Sequence, residues 1–314
     1  MDSLILNISH FGLRIVAKAF RLLLANYYIE IKNMGTYDVI MTCRNSEKDI
    51  RAAILSLINQ SVKPEYVIVI DDGSTDNTPA ILKEINSRNK NIYIITNPNS
   101  GYDIGRVVFN WNKAIKLAKE LNLPRTDYHM ISSDDAQYEL LYAEKIIKYM
   151  DSDPLVAIAS GEYNNDTSSK PRGSGRFVRN SFFVSVLGYY PERIGYESAI
   201  LFIALKNRLK YVVIHEARYI HARPLGSNHH FHDWGQSMRS LGYHPLFAFS
   251  RFVKYLLLGK PIGRLGALRM FYYYLSYKPK AEGYDSMYDS ELRKFVKLTQ
   301  LKRMKGYIGL GHSA

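Results

Sequence analysis

Four apolar runs, YDVIMTC, EYVIVID, NIYIIT and DYHMISS, recur between residues 37 and 133, and a helical pattern fills each gap between them. This alternation constrains the fold more than any other feature of the chain. Short apolar runs rich in Val, Ile and Tyr read as buried strands, and the amphipathic stretches SEKDIRAAILSLINQ, TDNTPAILKEINSR and DIGRVVFNWNKAIKLAKEL read as helices. In the first helix Ser46 is a candidate N-cap with Asp49 three residues on, and Ile50, Ile54 and Leu57 share a face. Asp76 or Thr75 stands near the cap of the second. Strands alternating with helices predict βαβ units and a mostly parallel sheet. Right-handed crossovers then bring the carboxyl ends of the strands to one edge, where open α/β sheets bind ligands.

Beyond residue 150 the pattern loosens. SGEYNNDTSSKPRGSG reads as a loop, YESAILFIALKNRLK as an amphipathic helix, and YVVIHEARYIHA as one or two strands. After Pro224 the chain reads as helices that carry aromatic and basic residues together. Three parts follow: a helix and linker over 1–33, an α/β domain over 34–225, and a basic helical region over 226–314.

With 46% apolar and 23% charged residues the chain is globular. Its single cysteine, Cys43, excludes an internal disulfide framework and a zinc ribbon, and fits a reducing cytosol. The net charge of +13 points to polyanionic partners. From Pro245 onward, thirteen Lys and Arg face only Glu282, Asp285, Asp289 and Glu291. No run reaches the roughly 18 apolar residues of a membrane span. Over residues 1–24, Asn7, His10, Arg14, Lys18 and Arg21 make one polar stripe among Leu, Ile, Val and Phe. That pattern suits a basic amphipathic helix in a membrane interface, or a helix packed on the protein's own body.

The motifs at the strand ends carry the chemistry. VIDDGSTDNT puts Asp71 and Asp72 after a buried strand, where a carboxylate accepts from a ribose hydroxyl or base N–H and Gly73 lets the backbone approach a ligand. Neither G-x-G-x-x-G nor the Walker pattern occurs. MISSDDAQY ends the fourth strand with Asp134 and Asp135 side by side. Together with Asn45, Glu47, the stretch from Ser56 to Gln60, Asn99, Gly101, Arg106 and Asn112, these motifs resemble the family-2 glycosyltransferases of the GT-A fold. The resemblance covers roughly residues 37–224 and leaves the tail unexplained.

This resemblance implies transfer from a nucleotide sugar (UDP-, GDP- or dTDP-linked) with inversion at the sugar carbon, and Mg²⁺ or Mn²⁺ at the leaving diphosphate. It puts Thr42, Arg44 and Glu47 in the nucleotide pocket and Asp72 on base or ribose. Arg106, Asn112 and Ser133 are further donor-site positions. Asp134 becomes the metal carboxylate and His221 a further metal ligand, while Asp135 orients the loop or contacts the sugar. Glu197 is the expected general base. Three positions depart from the family pattern: Arg44 replaces an aromatic residue, Ser132 the first acid of a D-x-D, and Ser198 the second acid of the acceptor motif. If that second acid is normally the base, Glu162 or Asp166 takes the role. NHHFHDW, with His229, His230, His232 and Asp233, reads as an acceptor-side loop rather than a zinc site.

The expected protein is a cytoplasmic enzyme held peripherally on the cytoplasmic face of a membrane, acting on a lipid-linked or glycan acceptor and able to form oligomers. A non-catalytic sugar- or nucleotide-binding module is the alternative, motivated by Ser132 and Ser198. Specific nucleic-acid binding is not expected, because no such motif accompanies the charge.

Overall fold

The structure is a computed structural model in which residues 29, 31–164, 170–223 and 231–309 are described. The segment expected to be amphipathic over 1–24, and Asp166, His229 and His230, lie outside them. Strands β1 (Tyr37–Cys43), β2 (Val67–Asp71), β3 (Ile92–Thr96), β4 (Tyr128–Ser133), β5 (Ala136–Tyr138), β6 (Val156–Tyr163), β7 (Arg176–Arg179) and β8 (Lys210–His221) form one sheet. Its order is β3-β2-β1-β4-β7-β6-β8-β5. The crossovers between the first four strands are α1 (Ile50–Ile58), α2 (Thr78–Arg88) and α3 (Arg106–Glu120).

The first four strands are parallel, as their patterning predicts. The second half of the sheet is mixed: β7 runs antiparallel to β4 and β6, and β5 antiparallel to β8. β6 extends to Tyr163, so the first residues of the expected loop are strand. Helix α1 begins at Ile50, with Asp49 rather than Ser46 at its N-cap. The Ser46 carbonyl accepts from Ile50 N at 2.9 Å, while its hydroxyl is drawn away to Asp134.

Both faces of the sheet are covered. One core gathers Val39, Met41, Val67 and Val69 under α1 and α4 (Tyr142–Ser152). The other gathers Ile40, Ile68 and Ile70 under α3, α5 (Asn180–Val186) and α6 (Tyr196–Lys206). Helix α6, which its sequence reads as amphipathic, is covered on both faces. Ile200, Leu201 and Ala204 pack on the sheet, while Ala199 and Phe202 join a third core. That third core is built with α7 (His232–Ser240), α8 (Pro245–Leu258), α9 (Gly263–Ser276) and α10 (Ser290–Gly309). At Gly235 a Cβ would lie 2.1 Å from the Met270 carbonyl, so only glycine lets α7 approach α9 this closely.

Asp38 and His129 are register partners on β1 and β4. Burial pushes the Asp38 carboxyl up to about 7 and the His129 imidazole down to about 4. Asp38 therefore makes the fold less stable as pH rises from about 4 to about 7, and His129 makes it more stable over nearly the same window. The two slopes, each at most about 1.4 kcal/mol per pH unit, oppose one another. Denaturant titrations of His129→Gln should lose the opposing His129 slope, with stability rising as pH is lowered from 6.5 to 4.5; a flat profile would count against this pairing.

Candidate functional site

The carboxyl ends of β1, β2 and β4 open onto a cleft of about 370 Å³. Thr42 lines it from β1 and Arg44 from the loop that follows, Asp72 from the turn after β2, and Ser132 to Asp135 from β4 and its turn. Tyr102, Asn110 and Trp111 reach it from α3 and the preceding loop, and Glu197, His221, Arg223 and Trp234 from later elements.

Asp72 is 8% exposed and held on three sides. Arg106 donates from Nε at 3.0 Å and lies at 2.9 Å through Nη2, while Asn110 and Asn97 donate amide protons at 3.2 and 3.3 Å. Burial alone would raise this carboxyl, but these bonds outweigh it and keep it below the usual carboxylate range. Asp71 points elsewhere and accepts from the Ser74 amide and hydroxyl at 3.0 and 2.6 Å, closing the turn. Gly73 has φ 71°, and a Cβ there would meet Asn99 Cα at 2.6 Å, so the turn requires glycine.

Several sequence-based expectations shift. Glu47 is not among the residues lining the cleft. Its carboxylate accepts from Asn77 N at 2.9 Å, and Asp76 accepts from Glu47 N at 3.1 Å, so these residues tie the β1 loop to the start of α2. Asn112 is also directed away. Its amide exchanges bonds with the Tyr190 backbone at 2.9 and 2.8 Å, and the donor that faces Asp72 is Asn110, two residues earlier. Arg106 acts on the cleft through Asp72 rather than by lining it. Arg44 does line it, but its guanidinium donates to the Asp72 and Gly73 carbonyls and to Asn99 Oδ1, which braces the two loops.

Strand β4 ends at Ser133, so alternation no longer governs the acidic pair. Asp134 turns toward β1, where one oxygen accepts from Ser46 Oγ and from Arg44 N at 3.3 Å and the other from Arg223. Burial holds its carboxyl above the usual range, against the opposing charge of Arg223. Asp135 turns toward β8. His221 Nδ1 lies 2.9 Å from Oδ1, Ser133 donates at 3.0 Å, and Arg223 Nε lies 3.3 Å from Oδ2. Burial again opposes ionisation, but His221 foremost, with Arg223 and Ser133, brings the Asp135 carboxyl down to about 2. His221 thus meets the second acid, not Asp134. The Ser132 hydroxyl pairs with Tyr138 Oη at 3.0 Å.

Glu197 stands in the first turn of α6, whose entry is fixed by Gly195 at φ 87°. Arg176 is 2% exposed and donates to the Glu197 and Pro171 carbonyls at 3.1 and 3.0 Å, pinning this corner. The Glu197 carboxylate lies in the cleft against Gly173, and no described residue hydrogen-bonds it. A Cβ on Gly173 would fall 2.3 Å from Glu197 Oε1. Gly173→Ala should therefore displace this flexible carboxylate, lowering turnover while the melting temperature changes little; unchanged turnover would show that Glu197 is not needed where it stands. Glu162, one of the two alternative bases, is paired to His215 at 2.7 Å and is not among the residues lining the cleft, and Asp166, the other, lies outside the described residues. His232 and Asp233 belong to the first turn of α7, where the His232 ring faces Tyr273 at 4.5 Å.

The parallel half-sheet with its ligand edge, the mixed second half and the cleft between them define a GT-A fold. Residues 38–215, more than half of the chain, match the family described as Glycosyl transferase family 2, and the chain belongs to that family. Over 131 residues it is 31% identical to an uncharacterized glycosyltransferase of Haemophilus influenzae, a match covering 41% of this chain and 38% of that protein. It thus spans well under two-thirds of the curated relatives it matches. The mannosyltransferase PcManGT from Pyrobaculum calidifontis, solved with GDP-Man and Mn²⁺, superposes with TM-score 0.54 at 14% identity, covering 88% of this chain and 76% of that one. GalNAc-T7, solved with UDP, GalNAc and Mn²⁺, gives TM-score 0.53 at 12% identity, covering 76% and 54%. At such identities the likeness is one of fold.

Mg²⁺ and Mn²⁺ require carboxylate oxygens free to approach to about 2 Å. Here every oxygen of Asp134 and Asp135 already accepts from a protein donor, and Arg223 lies against both groups. Among the described residues no group of three His, Cys, Asp or Glu side chains could hold a metal ion. As arranged, the pair does not fit a divalent cation.

Proposed function

We propose that this chain transfers a sugar from a nucleoside-diphosphate sugar to an acceptor hydroxyl or phosphate, with inversion at the sugar carbon. One observation carries the reading: a single cleft is lined both by the clamped, ionised Asp72 and by a Glu197 carboxylate that no described residue hydrogen-bonds. Asp72 holds ribose or base. Glu197 accepts the acceptor proton as the new glycosidic bond forms and the diphosphate leaves. Cationic groups must meet the charge developing on that diphosphate. Mg²⁺ or Mn²⁺, the expected ions, would have to displace Arg223 from the acidic pair to do so.

The test is a donor screen on the full chain with UDP-, GDP- and dTDP-sugars, reading melting temperature and released nucleoside diphosphate. Binding to the folded state at 100 times Kd stabilises by about 2.7 kcal/mol, so a matching donor gives a readable shift. Neither a shift nor release with any donor would sink the reading.

The acceptor in this reading is lipid-linked, at an anionic membrane surface. Leu265, Leu268, Tyr272 and Leu275 recur at steps of three and four along α9 and are each at least half exposed; Leu246, Phe249 and Leu257 add to this surface from α8. Lys254, Lys260 and Arg264, in the same stretch of chain, are exposed as well. Apolar and basic residues interleaved in this way suit an interfacial helix pair. Among the described residues no helix is long and apolar enough to cross a membrane. Lys254→Gln with Arg264→Gln should weaken binding to phosphatidylglycerol vesicles by about 30-fold, at ~1 kcal/mol per basic group. No vesicle binding by the unaltered chain at low salt would refute the membrane assignment.

A further inference from the structure

We propose that Arg223 takes the place of a divalent ion in this cleft, neutralising the acidic pair and presenting its guanidinium to the donor diphosphate, so that nucleotide binding needs no metal. The inference rests on the nucleotide-sugar reading above and adds the group that receives the phosphates.

Three observations support it. The strand that would bring a second carboxylate into a metal site carries Ser132, whose hydroxyl is spent on Tyr138. Every oxygen of both remaining acids meets a protein donor, and Arg223 is the cation common to them: Nη2 donates to Asp134, and Nε lies 3.3 Å from Asp135 and 3.7 Å from Asp49. The layering is the third. The Arg223 side chain is 33% exposed, whereas the Asp134 and Asp135 side chains beneath it are 11% and 9% exposed. An incoming anion meets the guanidinium first.

The position is also held from the backbone. Ala222 N donates to the Asp135 carbonyl at 3.0 Å and Arg223 N to its carboxylate at 3.3 Å, which fixes the chain just after β8. Among the described residues Arg223 Nη1 has no hydrogen-bond acceptor. A planar guanidinium presents paired N–H groups in a fork that fits two phosphate oxygens, which an ammonium cannot do. A divalent ion placed against the same acids would instead face the guanidinium as a like charge.

Calorimetric titration of the full chain with UDP, GDP and dTDP, each in EDTA and in Mn²⁺, tests this directly. At least one nucleotide should bind in EDTA, with Mn²⁺ changing its Kd less than about threefold. Arg223→Gln should bind the same nucleotide at least tenfold more weakly in EDTA, Arg223→Lys should recover part of the loss, and Mn²⁺ should partly rescue the Gln variant because its acids are freed. Binding that appears only with Mn²⁺ overturns the role of Arg223 and leaves the nucleotide reading standing. No binding in either condition removes both. A loss in Arg223→Gln that Mn²⁺ does not relieve shows a structural role and likewise overturns the assignment.

Discussion

Glu197→Gln is expected to lower turnover by roughly 10²- to 10⁴-fold, the range contributed by a positioned general base, while leaving nucleotide affinity within about twofold. The separation follows from where the residue sits. Its carboxylate lies in the cleft against Gly173, and its backbone, not its side chain, is what Arg176 anchors. The amide keeps the size and the helix position but has no basic oxygen to take a proton. Initial rates with a donor from the screen, set beside calorimetric nucleotide affinity, separate the two effects. A variant that retains more than a tenth of the rate would remove Glu197 as the base and turn attention to a proton acceptor on the substrate itself.

Asp72→Ala should act on binding instead. Loss of a charged hydrogen bond to the ligand is worth about 1.5–3 kcal/mol, or roughly 10- to 100-fold in Kd. The variant also frees Arg106, Asn110 and Asn97 from their shared acceptor, so the cleft wall loses its organising charge. Asp72→Asn separates these consequences: it keeps an acceptor oxygen but removes the charge that holds Arg106. Because Asp72 is held below the usual carboxylate range, nucleotide affinity should not fall through its protonation between pH 7 and pH 5. Nucleotide affinity of Asp72→Ala equal to that of the unaltered chain would show that the ribose or base is held elsewhere.

The sequence legibly reported whatever depends on local periodicity. The apolar runs of β1 to β4, the helices between them, and the placing of Asp72 and Asp134 at one sheet edge follow from alternation and from turn chemistry such as that of Gly73. The resemblance of those motifs supplied the family. What periodicity could not assign was the partner of each polar group. Asn110 and Asn112 differ by two positions on α3, and only the packing of Tyr190 against that helix decides which one faces Asp72. Glu47 looks like a ligand residue until the start of α2 is seen to occupy it. Helix α6 reads as amphipathic because sequence alone does not show that a third core covers its second face.

The acidic pair makes the division plain. The chain alone places Asp134 and Asp135 together after an apolar strand, and marks Ser132 as a hydroxyl where an acid is expected. Only the tertiary structure ends the strand at Ser133, sends one acid toward β1 and the other toward β8, and brings Arg223 to them from 89 and 88 residues away. Strand and helix are written in neighbours a few residues apart, so a sequence displays them. The charge balance of a buried site is set by groups that meet only after the chain has closed, where low dielectric makes each such meeting decisive.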